Sequence, residues 1–473
     1  MYINGAWRET VARFEVTNPA NGEVIDTVPD GGAAEAAEAI EAAAAAFPAW
    51  SRTTAYHRAE ILMKAHALML ERKEHLARTM TKEQGKPLRA ARIEVQYGTD
   101  FLSWFAEEAK RVNGEIIPSA RADQRFMVLR QPVGVVAAIT PWNYPISMIT
   151  RKLGPALAAG CTSVLKPAEA TPLCAIEMMK IFEEAGVPPG VVNLVTASDP
   201  RPIGEVFTTH AEVAKLTFTG STAVGKMLNA AAAAHMKRVS MELGGHAPFI
   251  VCKDADPVHA AKGGSLVKFL NTGQACISPN RFLVHESIYE PFVETLTARV
   301  AKMKAGSGLE DGVAIGPLVN QAAVDKVDAQ VKDARELGAE VLAGGSALTD
   351  GDLGNGHFYA PTVLAKVTPE MLIYRQETFG PVAPVIRYTD EDNVLTMAND
   401  TAYGLAAYVY TRDISTAMTM LEGLRFGIIG VNDINPTSAA APFGGMKESG
   451  LGREGAREGI SEYLETKLAG FAL

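Results

Sequence analysis

Cysteine and histidine are both scarce in this chain, and neither is spaced as a metal ligand. The 473 residues include four cysteines with no CxxC spacing, and the nine histidines form no HExxH or other ligand motif. No metal site is therefore expected. The first residues show no basic stretch followed by an apolar one, so a signal peptide is not predicted. In a long chain without a secretory signal, a few cysteines are typical of reduced thiols in a cytoplasmic protein.

Long apolar runs and clustered positive charges are missing as well. No apolar window approaches the roughly 20 residues of a membrane-spanning helix, so no membrane association is expected. The formal net charge is −9, and nucleic-acid binding depends on clustered lysine and arginine, so a nucleic-acid partner is not expected either. With 47% hydrophobic and 21% charged residues, the composition is that of a globular protein. The length fits roughly two or three domains.

Strand and helix patterns alternate through much of the chain. An alanine-rich helix at 32–46 and helical segments at 56–84 and 90–112 come first. From Gly134 onward, short β-branched runs alternate with helical stretches, and the strands lie at 134–140, 163–166, 191–196, 215–219 and 238–243. This order predicts an α/β fold with a parallel sheet covered on both faces. A Rossmann-like sheet of this kind binds nucleotides at the carboxyl ends of its strands.

A second α/β stretch runs from 248 to about 430 and carries helices near 257–270, 288–304 and 322–337. Residues 126–132 and the last fifteen residues look like extended strands outside both units. Strands without a home sheet have unpaired backbone groups, so they are candidates for pairing with another subunit.

Two glycine-rich segments resemble phosphate loops. Residues 450–455 have the GxGxxG spacing, but a Rossmann fingerprint needs a following helix and an acid about 20 residues further on. Only eighteen residues remain after Gly455, so the segment is interpreted as a glycine turn. Residues 220–226 nearly match a Walker A loop. However, Met227 stands where the Mg²⁺-binding hydroxyl belongs, which argues against ATP use.

The segment beginning at Gly220 still suits a dinucleotide. It follows a strand and opens a helix, and the free N–H groups at a helix N-terminus attract an anion such as a pyrophosphate. The same residues also suit an ordinary helix start capped by Ser221 or Thr222. The segment alone leaves both interpretations open.

Lys166-Pro-Ala-Glu169 follows the strand at 163–166, where the adenosine half of a nucleotide would lie. A carboxylate can accept both ribose hydroxyls but repels a 2′-phosphate, so Glu169 favours NAD over NADP. A Lys-x-x-Glu pair is also common on solvated surfaces, and that interpretation stays open.

Cys276 is the cysteine placed for chemistry. It lies in the polar, glycine-bearing loop 271–280 between a helix and a strand. A nearby helix N-terminus or a cationic nicotinamide could favour its reactive thiolate. Cys161, Cys174 and Cys252 lie in apolar or strand-like runs and are interpreted as small core residues.

Glu242 and Asn143 complete a candidate catalytic group. Glu242 ends a strand that closes on two glycines, where an acid is either a partly buried base of raised pKa or part of a salt bridge. Asn143 lies in Thr140-Pro-Trp-Asn-Tyr-Pro145, a turn at the carboxyl end of a parallel strand. Its side-chain amide could stabilise an oxyanion there.

These motifs together resemble the aldehyde dehydrogenase superfamily. The similar segments are Pro-Trp-Asn143, Phe218-Thr-Gly-Ser-Thr, Glu242-Leu-Gly-Gly, Gly-Gln-x-Cys276, Glu377-Thr-Phe-Gly-Pro and Pro442-Phe-Gly-Gly-x-Lys-x-Ser-Gly. They occur in family order, and the resemblance runs from Ile3-Asn-Gly nearly to the C-terminus. It implies an NAD-dependent oxidation of an aldehyde to a carboxylic acid.

The resemblance implies a role for each catalytic residue. The Cys276 thiolate attacks the carbonyl, and the Asn143 amide and the Cys276 backbone N–H hold the oxyanion. After hydride transfer to NAD, Glu242 activates the water that hydrolyses the thioester, and Lys152 supports the site. The implied cofactor residues are Thr140, Trp142, Lys166, Glu169, Gly220, Ser221, Val224, Gly225, Leu243, Glu377 and Phe379.

The resemblance also implies a division of the chain. Residues 1–113 and 133–244 form the NAD-binding domain, and 245–443 form the catalytic domain. Residues 114–132 and 444–473 form a small β extension that builds a homodimer, often paired into a homotetramer.

Within the family, the chain is most similar to semialdehyde dehydrogenases of the succinate-semialdehyde type. In these enzymes the residue matching Arg151 helps to bind the distal carboxylate of the substrate, which suits a bidentate guanidinium. The implied substrate residues are Arg151, Tyr144, Met148, Leu270, Ile277, Ser438 and Phe443.

Three departures from the family pattern bear on the substrate. Leu270 replaces the usual second arginine, which weakens the case for a short dicarboxylic semialdehyde and favours a longer, apolar or aromatic aldehyde as the alternative. Ser278 rules out the neighbouring disulfide of some relatives. His246, where asparagine is more familiar, together with Ile277-Ser-Pro, resembles the α-ketoglutaric-semialdehyde branch.

Two other enzyme classes stay open on these residues. A CoA-acylating dehydrogenase would pass the acyl group to CoA, but Glu242 argues against it because hydrolysis is the step that needs this base. A thiol esterase would use Cys276 and Glu242 without NAD. A catalytically silent structural protein is disfavoured because Cys276, Glu242 and Asn143 are all present.

Overall fold

The computed structural model describes all residues from 1 to 473. The α-helices are α1 (Ala33–Trp50), α2 (Ala55–Glu71), α3 (Lys73–Gln84), α4 (Leu88–Ala109), α5 (Ser147–Ala159), α6 (Pro172–Ala185), α7 (Arg201–Thr209), α8 (Thr222–Ala233), α9 (Pro257–Phe269), α10 (Tyr289–Val300), α11 (Gln321–Glu336), α12 (Leu372–Arg375), α13 (Val394–Asn399), α14 (Ile414–Gly423) and α15 (Ala456–Ser461).

The strands are β1 (Tyr2–Ile3), β2 (Ala6–Trp7), β3 (Arg13–Thr17), β4 (Val24–Pro29), β5 (Glu115–Pro118), β6 (Gln124–Pro132), β7 (Val135–Ile139), β8 (Thr162–Lys166), β9 (Val192–Leu194), β10 (Val213–Thr219), β11 (Arg238–Glu242), β12 (Ala247–Val251), β13 (Pro279–His285), β14 (Lys304–Ala305), β15 (Val313–Ile315), β16 (Glu340–Ala343), β17 (Thr362–Ala365), β18 (Val382–Tyr388), β19 (Ala406–Tyr410), β20 (Ile428–Val431), β21 (Gly450–Leu451) and β22 (Leu464–Ala472).

The first sheet has the order β2-β1-β9-β8-β7-β10-β11-β21. Strands β7 to β11 pair in parallel, while β1, β2 and β21 add antiparallel edges. Helices α2 to α6 pack on one face, and α1, α7 and α8 pack on the other. The strand order reverses between β7 and β10, and the crevice at such a reversal is where α/β sheets bind ligands. The predicted α/β fold with a doubly covered parallel sheet is confirmed.

The second sheet has the order β16-β17-β18-β13-β12-β19-β20 and is parallel except at β16. Residues 243–246 join the carboxyl end of β11 directly to the amino end of β12. The carboxyl end of β11 and the amino end of β12 therefore lie close together, and the cleft between the two sheets is at this link.

A third sheet of the antiparallel strands β22, β6 and β5 is exposed on both faces. Its exposed side chains include a group of large apolar ones, namely Ile116, Ile117, Met127, Leu129, Leu468 and Phe471. The sequence predicted strands here at 126–132 and in the last fifteen residues. The first is confirmed, and the second is correct only for β22.

Two element predictions need correction. The helical segment 56–84 is two helices, because the backbone of Arg72 leaves the helical conformation (φ −94°, ψ 13°) while the apolar pattern continues across the break. The last fifteen residues begin with the end of α15, and a Cβ placed on Gly459 there would lie 3.0 Å from the Phe105 ring. Packing against α4 thus forms a short helix at a site of low helix propensity.

No helix in the structure combines the length and the apolar character needed to cross a membrane. The structure also contains no group of three or more His, Cys, Asp or Glu side chains arranged to hold a metal ion.

Candidate active site

Three chain segments bring Asn143, Glu242 and Cys276 to the cleft between the two sheets. Asn143 follows β7, and Glu242 is the last residue of β11. Cys276 lies three residues before Pro279, which is the register partner of Ala247 at the start of β12. Because residues 243–246 link Glu242 to Ala247, the acid and the cysteine both lie near the amino end of β12.

Gly245 explains how closely these two segments approach. A Cβ on Gly245 would lie 2.1 Å from the carbonyl oxygen of Cys276, a distance that no side chain tolerates. Only glycine lets the two backbones pass at this separation. The second glycine of Glu242-Leu-Gly-Gly is therefore needed to place the acid beside the thiol.

The surroundings of Cys276 disfavour its thiolate. Burial raises its pKa to about 12, Arg151 acts to lower it, and Glu242 raises it further. The residue as a whole is half-buried. The sequence suggested a helix N-terminus as one source of activation, but β13 follows this loop and no helix begins there. Of the charged groups around it, Arg151 is the one that stabilises the thiolate.

Glu242 has the environment of a buried general base. It is 3% exposed, and neither carboxyl oxygen has a hydrogen-bond partner. Burial raises the pKa of this carboxyl well above its usual value and Glu454 raises it further, while Arg151 and Lys152 lower it. A carboxyl of raised pKa can take a proton from water and hold it. Of the two interpretations made from the sequence, the partly buried base fits better than the salt bridge.

Asn143 is buried and its amide direction is defined. Its Nδ2 donates to the carbonyl of Gln274 at 3.0 Å, within the loop that carries Cys276. An amide nitrogen has two hydrogens, so one N–H remains for another acceptor. This geometry suits an oxyanion donor.

Lys152 is fully buried and belongs to a charged cluster with Glu454. The sequence predicted Lys152 but not its partner. The Nζ of Lys152 donates to Glu454 at 2.6 Å and to Thr217 Oγ1 at 3.1 Å. Glu454 was missed because it lies inside the GxGxxG segment interpreted as a turn. The turn interpretation fits the structure, since Gly450, Gly452 and Gly455 all have positive φ. The position of Glu454 between Gly452 and Gly455 was the feature of the sequence that could have identified it as part of the site.

Arg151 is brought together with two other predicted substrate residues. It is 1% exposed, and its guanidinium lies 4.0 Å from the centre of the Phe443 ring. Nη1 is 3.6 Å from the sulfur of Met148, and Nη2 donates to the Tyr97 hydroxyl at 2.9 Å. Nε has no partner, so the cation keeps a free donor. Tyr97 was not predicted.

The other predicted substrate residues are more dispersed. Burial raises the pKa of Tyr144, Glu94 raises it further and Cys276 adds to the effect, so the ring lies near the thiol. The carbonyl of Ile277 accepts from Tyr408 at 3.0 Å. Leu270 is 38% exposed at the end of α9, and Ser438 is exposed in the segment before Phe443. The structure thus groups Arg151, Met148 and Phe443 but shows no polar contact from Leu270 or Ser438 to them.

The predicted ribose residues lie together at the carboxyl end of β8. Lys166 Nζ lies 3.3 Å from the Glu169 carboxylate, and the Glu169 side chain is 52% exposed. Burial lowers the pKa of Lys166, while Glu169 and Asp199 raise it. Thr140 lies one strand away, and its N–H donates to the Lys166 carbonyl at 3.2 Å.

The predicted pyrophosphate segment forms the start of α8. Ser221 is its N-cap and accepts from the Val224 N–H at 3.4 Å, so the cap interpretation is correct. A Cβ on Gly225 would lie 2.2 Å from Leu243, which shows how closely the first turn of α8 packs on the residue that follows β11. The N–H of Gly220 donates to the Glu242 carbonyl at 3.1 Å. The open helix N-terminus at the sheet reversal fits a dinucleotide phosphate.

Glu377 and Phe379 reach the same cleft from the second sheet. Glu377 accepts from the Gly245 N–H at 2.8 Å. The Phe379 ring meets Trp142 edge to face, with centroids 5.6 Å apart. These contacts surround the cleft with one acid and two aromatic rings, which fits a nucleotide with ribose and a flat ring.

Comparisons with known proteins identify the family to which this chain belongs. A model of the aldehyde dehydrogenase family matches residues 7–469. The chain is 50% identical to a 3-sulfolactaldehyde dehydrogenase of Pseudomonas putida over 98% of this chain and 95% of that protein. It is 49% identical to the succinate-semialdehyde dehydrogenase [NADP(+)] GabD of Escherichia coli K12 over 98% of this chain and 96% of that one. The crystal structure of an E. coli NADP-dependent enzyme matches with a TM-score of 0.97 and 48% identity, covering 100% of this chain and 98% of that one.

These matches confirm the predicted resemblance and the predicted activity on aldehydes. The coverage of nearly the whole chain means that no large part of the fold lies outside the match. The chain belongs to the aldehyde dehydrogenase family, whose members are oxidoreductases that oxidise aldehydes with NAD or NADP.

Proposed function

We propose that this enzyme oxidises an aldehyde with a distal acid group, such as succinate semialdehyde, to the carboxylic acid with NAD. The observation that carries the proposal is the Glu242 carboxyl, buried without a partner beside the Cys276 thiol, with the Arg151 cation acting on both. The two relatives named above act on aldehydes that end in a sulfonate or a carboxylate, which supports an anionic substrate.

The residues divide the chemistry into two steps. The Cys276 thiol first loses its proton to water, and Arg151 stabilises the thiolate that forms. The thiolate Sγ attacks the carbonyl carbon, and the free N–H of Asn143 and the Cys276 backbone N–H stabilise the oxyanion. The residues at the carboxyl end of β8 and the start of α8 would hold NAD, which would supply the hydride acceptor, and the acyl group would then remain on Cys276 Sγ as a thioester. Glu242 then takes a proton from water as the oxygen attacks the thioester carbon, and the acid leaves as the thiol is restored. Lys152 lowers the pKa of this base and Glu454 raises it, so the ion pair between them adjusts how readily Glu242 accepts a proton.

NAD is proposed over NADP because of the charges at the ribose site. Glu169 is the carboxylate beside Lys166, and a 2′-phosphate bound at this position would meet its negative charge. Repulsion between like charges at about 4 Å amounts to several kcal/mol at an effective dielectric constant of about 20. One relative is named as an NADP(+) enzyme. Since the family includes both kinds of enzyme, the preference of this chain between NAD and NADP is proposed from the local charge of Glu169.

Replacing Glu169 by serine is expected to raise kcat/KM with NADP by roughly 10- to 100-fold, because the repulsion of the 2′-phosphate is removed. The value with NAD should fall several-fold. Initial rates with both dinucleotides at one aldehyde concentration check this. Glu205→Ser, which removes an exposed acid of α7, is the control and should change neither. A Glu169→Ser enzyme that stays equally poor with NADP contradicts the ribose role.

A longer, apolar or aromatic aldehyde is the second candidate substrate. Leu270 presents an exposed apolar side chain where a second arginine was expected. Arg151 would then bind the acid end alone, and its contacts with Phe443 and Tyr97 already occupy part of it. The charge of the substrate therefore decides between the two candidates.

The experiment compares succinate semialdehyde with butanal, which lacks the acid group. We expect Arg151→Met to lower kcat/KM for the semialdehyde roughly 10- to 100-fold more than for butanal, because a charged hydrogen bond is lost. Leu270→Arg is the matched gain-of-charge variant and should favour the semialdehyde. An equal loss on both aldehydes would show that Arg151 acts only on the thiol, and a wild-type preference for butanal would support the second candidate.

The domain division is also part of the proposal, with 1–113 and 133–244 binding NAD, 245–443 catalytic, and 114–132 and 444–473 building the oligomer. The exposed apolar side chains of the third sheet support a homodimer or homotetramer. The predicted cytoplasmic location is proposed from the four unpaired cysteines.

A further inference from the structure

The peptide carbonyl of Asn143 is held from both sides of the cleft. Lys86 Nζ donates to it at 2.7 Å, and Asn271 Nδ2 donates to it at 3.0 Å. Lys86 lies between α3 and α4, whereas Asn271 lies in the segment that carries Cys276. All three residues are buried. Two donors on one buried carbonyl leave its position little freedom.

Lys86 is itself held by an ion pair. Glu94 contacts its ammonium group, and the other carboxylate oxygen of Glu94 accepts from the N–H groups of Ile146 at 3.0 Å and Ser147 at 3.3 Å. These N–H groups belong to the start of α5, directly after the turn of Asn143. The ammonium group also lies 4.1 Å from the centre of the Tyr144 ring. The pair therefore fixes the turn on both sides of Asn143.

Asn271 closes the arrangement on the side of the catalytic loop. Its Nδ2 also approaches the Gln274 carbonyl at 3.2 Å, and the same carbonyl accepts from Asn143 Nδ2 at 3.0 Å. Asn271 has φ of 50°, a left-handed conformation that asparagine tolerates better than most residues. One hydrogen of the Asn143 amide is thereby committed, and the direction of the other follows from it.

We propose that Lys86 and Asn271 are positioning residues that set the orientation of the Asn143 amide toward the oxyanion. The inference rests on the proposed function, in which that amide stabilises the oxyanion. One residue acts from the helices beneath the first sheet and the other from the loop of the nucleophile. They connect the amide donor and the loop that carries Cys276 into one hydrogen-bonded unit across the cleft.

Two variants test the proposal. Lys86→Met with Glu94→Gln removes the ion pair without leaving a buried charge, and Asn271→Gly removes the side chain but keeps the positive φ. Since a displacement of about 1 Å can cost roughly 100-fold in rate, we expect kcat/KM for the aldehyde to fall roughly 10- to 100-fold. NAD affinity should stay within about twofold of the parent enzyme.

Alkylation of Cys276 by iodoacetamide separates positioning of the amide from a general disturbance. Alkylation forms no oxyanion, so its rate should change less than about twofold in both variants. Hydrolysis of p-nitrophenyl acetate forms one and should fall in parallel with aldehyde oxidation. Parallel losses in all three reactions would mean that the loop has moved as a whole, and the proposal would be overturned.

Glu83→Gln is the matched control. Glu83 is a second buried carboxylate from the neighbouring helix α3, and it caps α6 by accepting from Leu173 and Cys174 N–H at 2.8 Å each. It does not reach Asn143. The control should lose thermal stability like the ion-pair variant but keep kcat/KM within about threefold.

Asn143→Ala distinguishes failure of the inference from failure of the proposed function. If the amide is the oxyanion donor, Asn143→Ala loses roughly 100- to 1,000-fold, and adding Asn271→Gly to it costs little more because the two act as a unit. An Asn143→Ala enzyme with full activity refutes the oxyanion role itself. A large loss in Asn143→Ala with none in the Lys86 and Asn271 variants refutes the positioning role alone.

Discussion

Replacing Cys276 by alanine is expected to lower aldehyde-dependent NADH formation by a factor on the order of 10⁴ or more, as removal of a catalytic nucleophile does. No other group can form the thioester, because Cys161, Cys174 and Cys252 are buried. NAD affinity should remain within a few-fold, since the side chain removed is small. NADH absorbance at saturating aldehyde and dinucleotide binding by fluorescence measure the two effects.

The matched control for this substitution is Cys252→Ala, which removes a buried thiol at the end of β12 and should leave turnover within about threefold. Turnover at the parent rate in the Cys276→Ala enzyme would refute the nucleophile assignment. Loss of NAD binding in that variant would instead indicate a disturbed cleft.

Replacing Glu242 by glutamine is expected to leave the first turnover intact and to block the second. One equivalent of NADH should form rapidly, and the steady rate should then fall roughly 10²- to 10⁴-fold because no base activates water. Rapid-mixing absorbance resolves the burst from the steady rate. The acyl enzyme should be detectable by mass spectrometry on the peptide that carries Cys276.

The pH profile gives an independent check on Glu242. Because burial raises the pKa of this carboxyl, the fraction able to accept a proton increases as pH rises through that value. The steady rate of the parent enzyme should therefore rise with pH, and the Glu242→Gln enzyme should lose this limb while its burst remains. A full steady rate in the variant would count against the base role, and acyl-CoA as product would indicate a CoA-acylating enzyme instead.

The aldehyde dehydrogenase family and the fold could be read from local signals. Strand–helix alternation after Gly134 predicted the parallel sheet, because each strand and helix is short and bounded by turn residues. The identity of the main candidates also followed from local context, since Asn143 and Glu242 end strands and Cys276 lies in a polar loop. Their roles stay proposals that the variants above test.

Other features depended on contacts between distant segments. The break at Arg72 was hidden because the apolar pattern continues through it. Glu454 gave only a weak signal in the sequence, since its partner Lys152 lies 302 positions away. A helix N-terminus was one of two possible sources of activation for Cys276, and the next element along the chain is a strand, β13.

The sequence by itself determined the alternation of strands and helices after Gly134 and the kinds of reactive side chain, because these depend on residue type and short-range spacing. Its motifs carried the resemblance to the family. Only the tertiary structure decided the state of the reactive groups. Burial raises the pKa of both Cys276 and Glu242. The close approach of Gly245 to Cys276 positions the acid beside the thiol, and the contact of Lys86 with the Asn143 carbonyl positions the amide. Desolvation and hydrogen bonding between remote segments exist only once the chain has closed on itself.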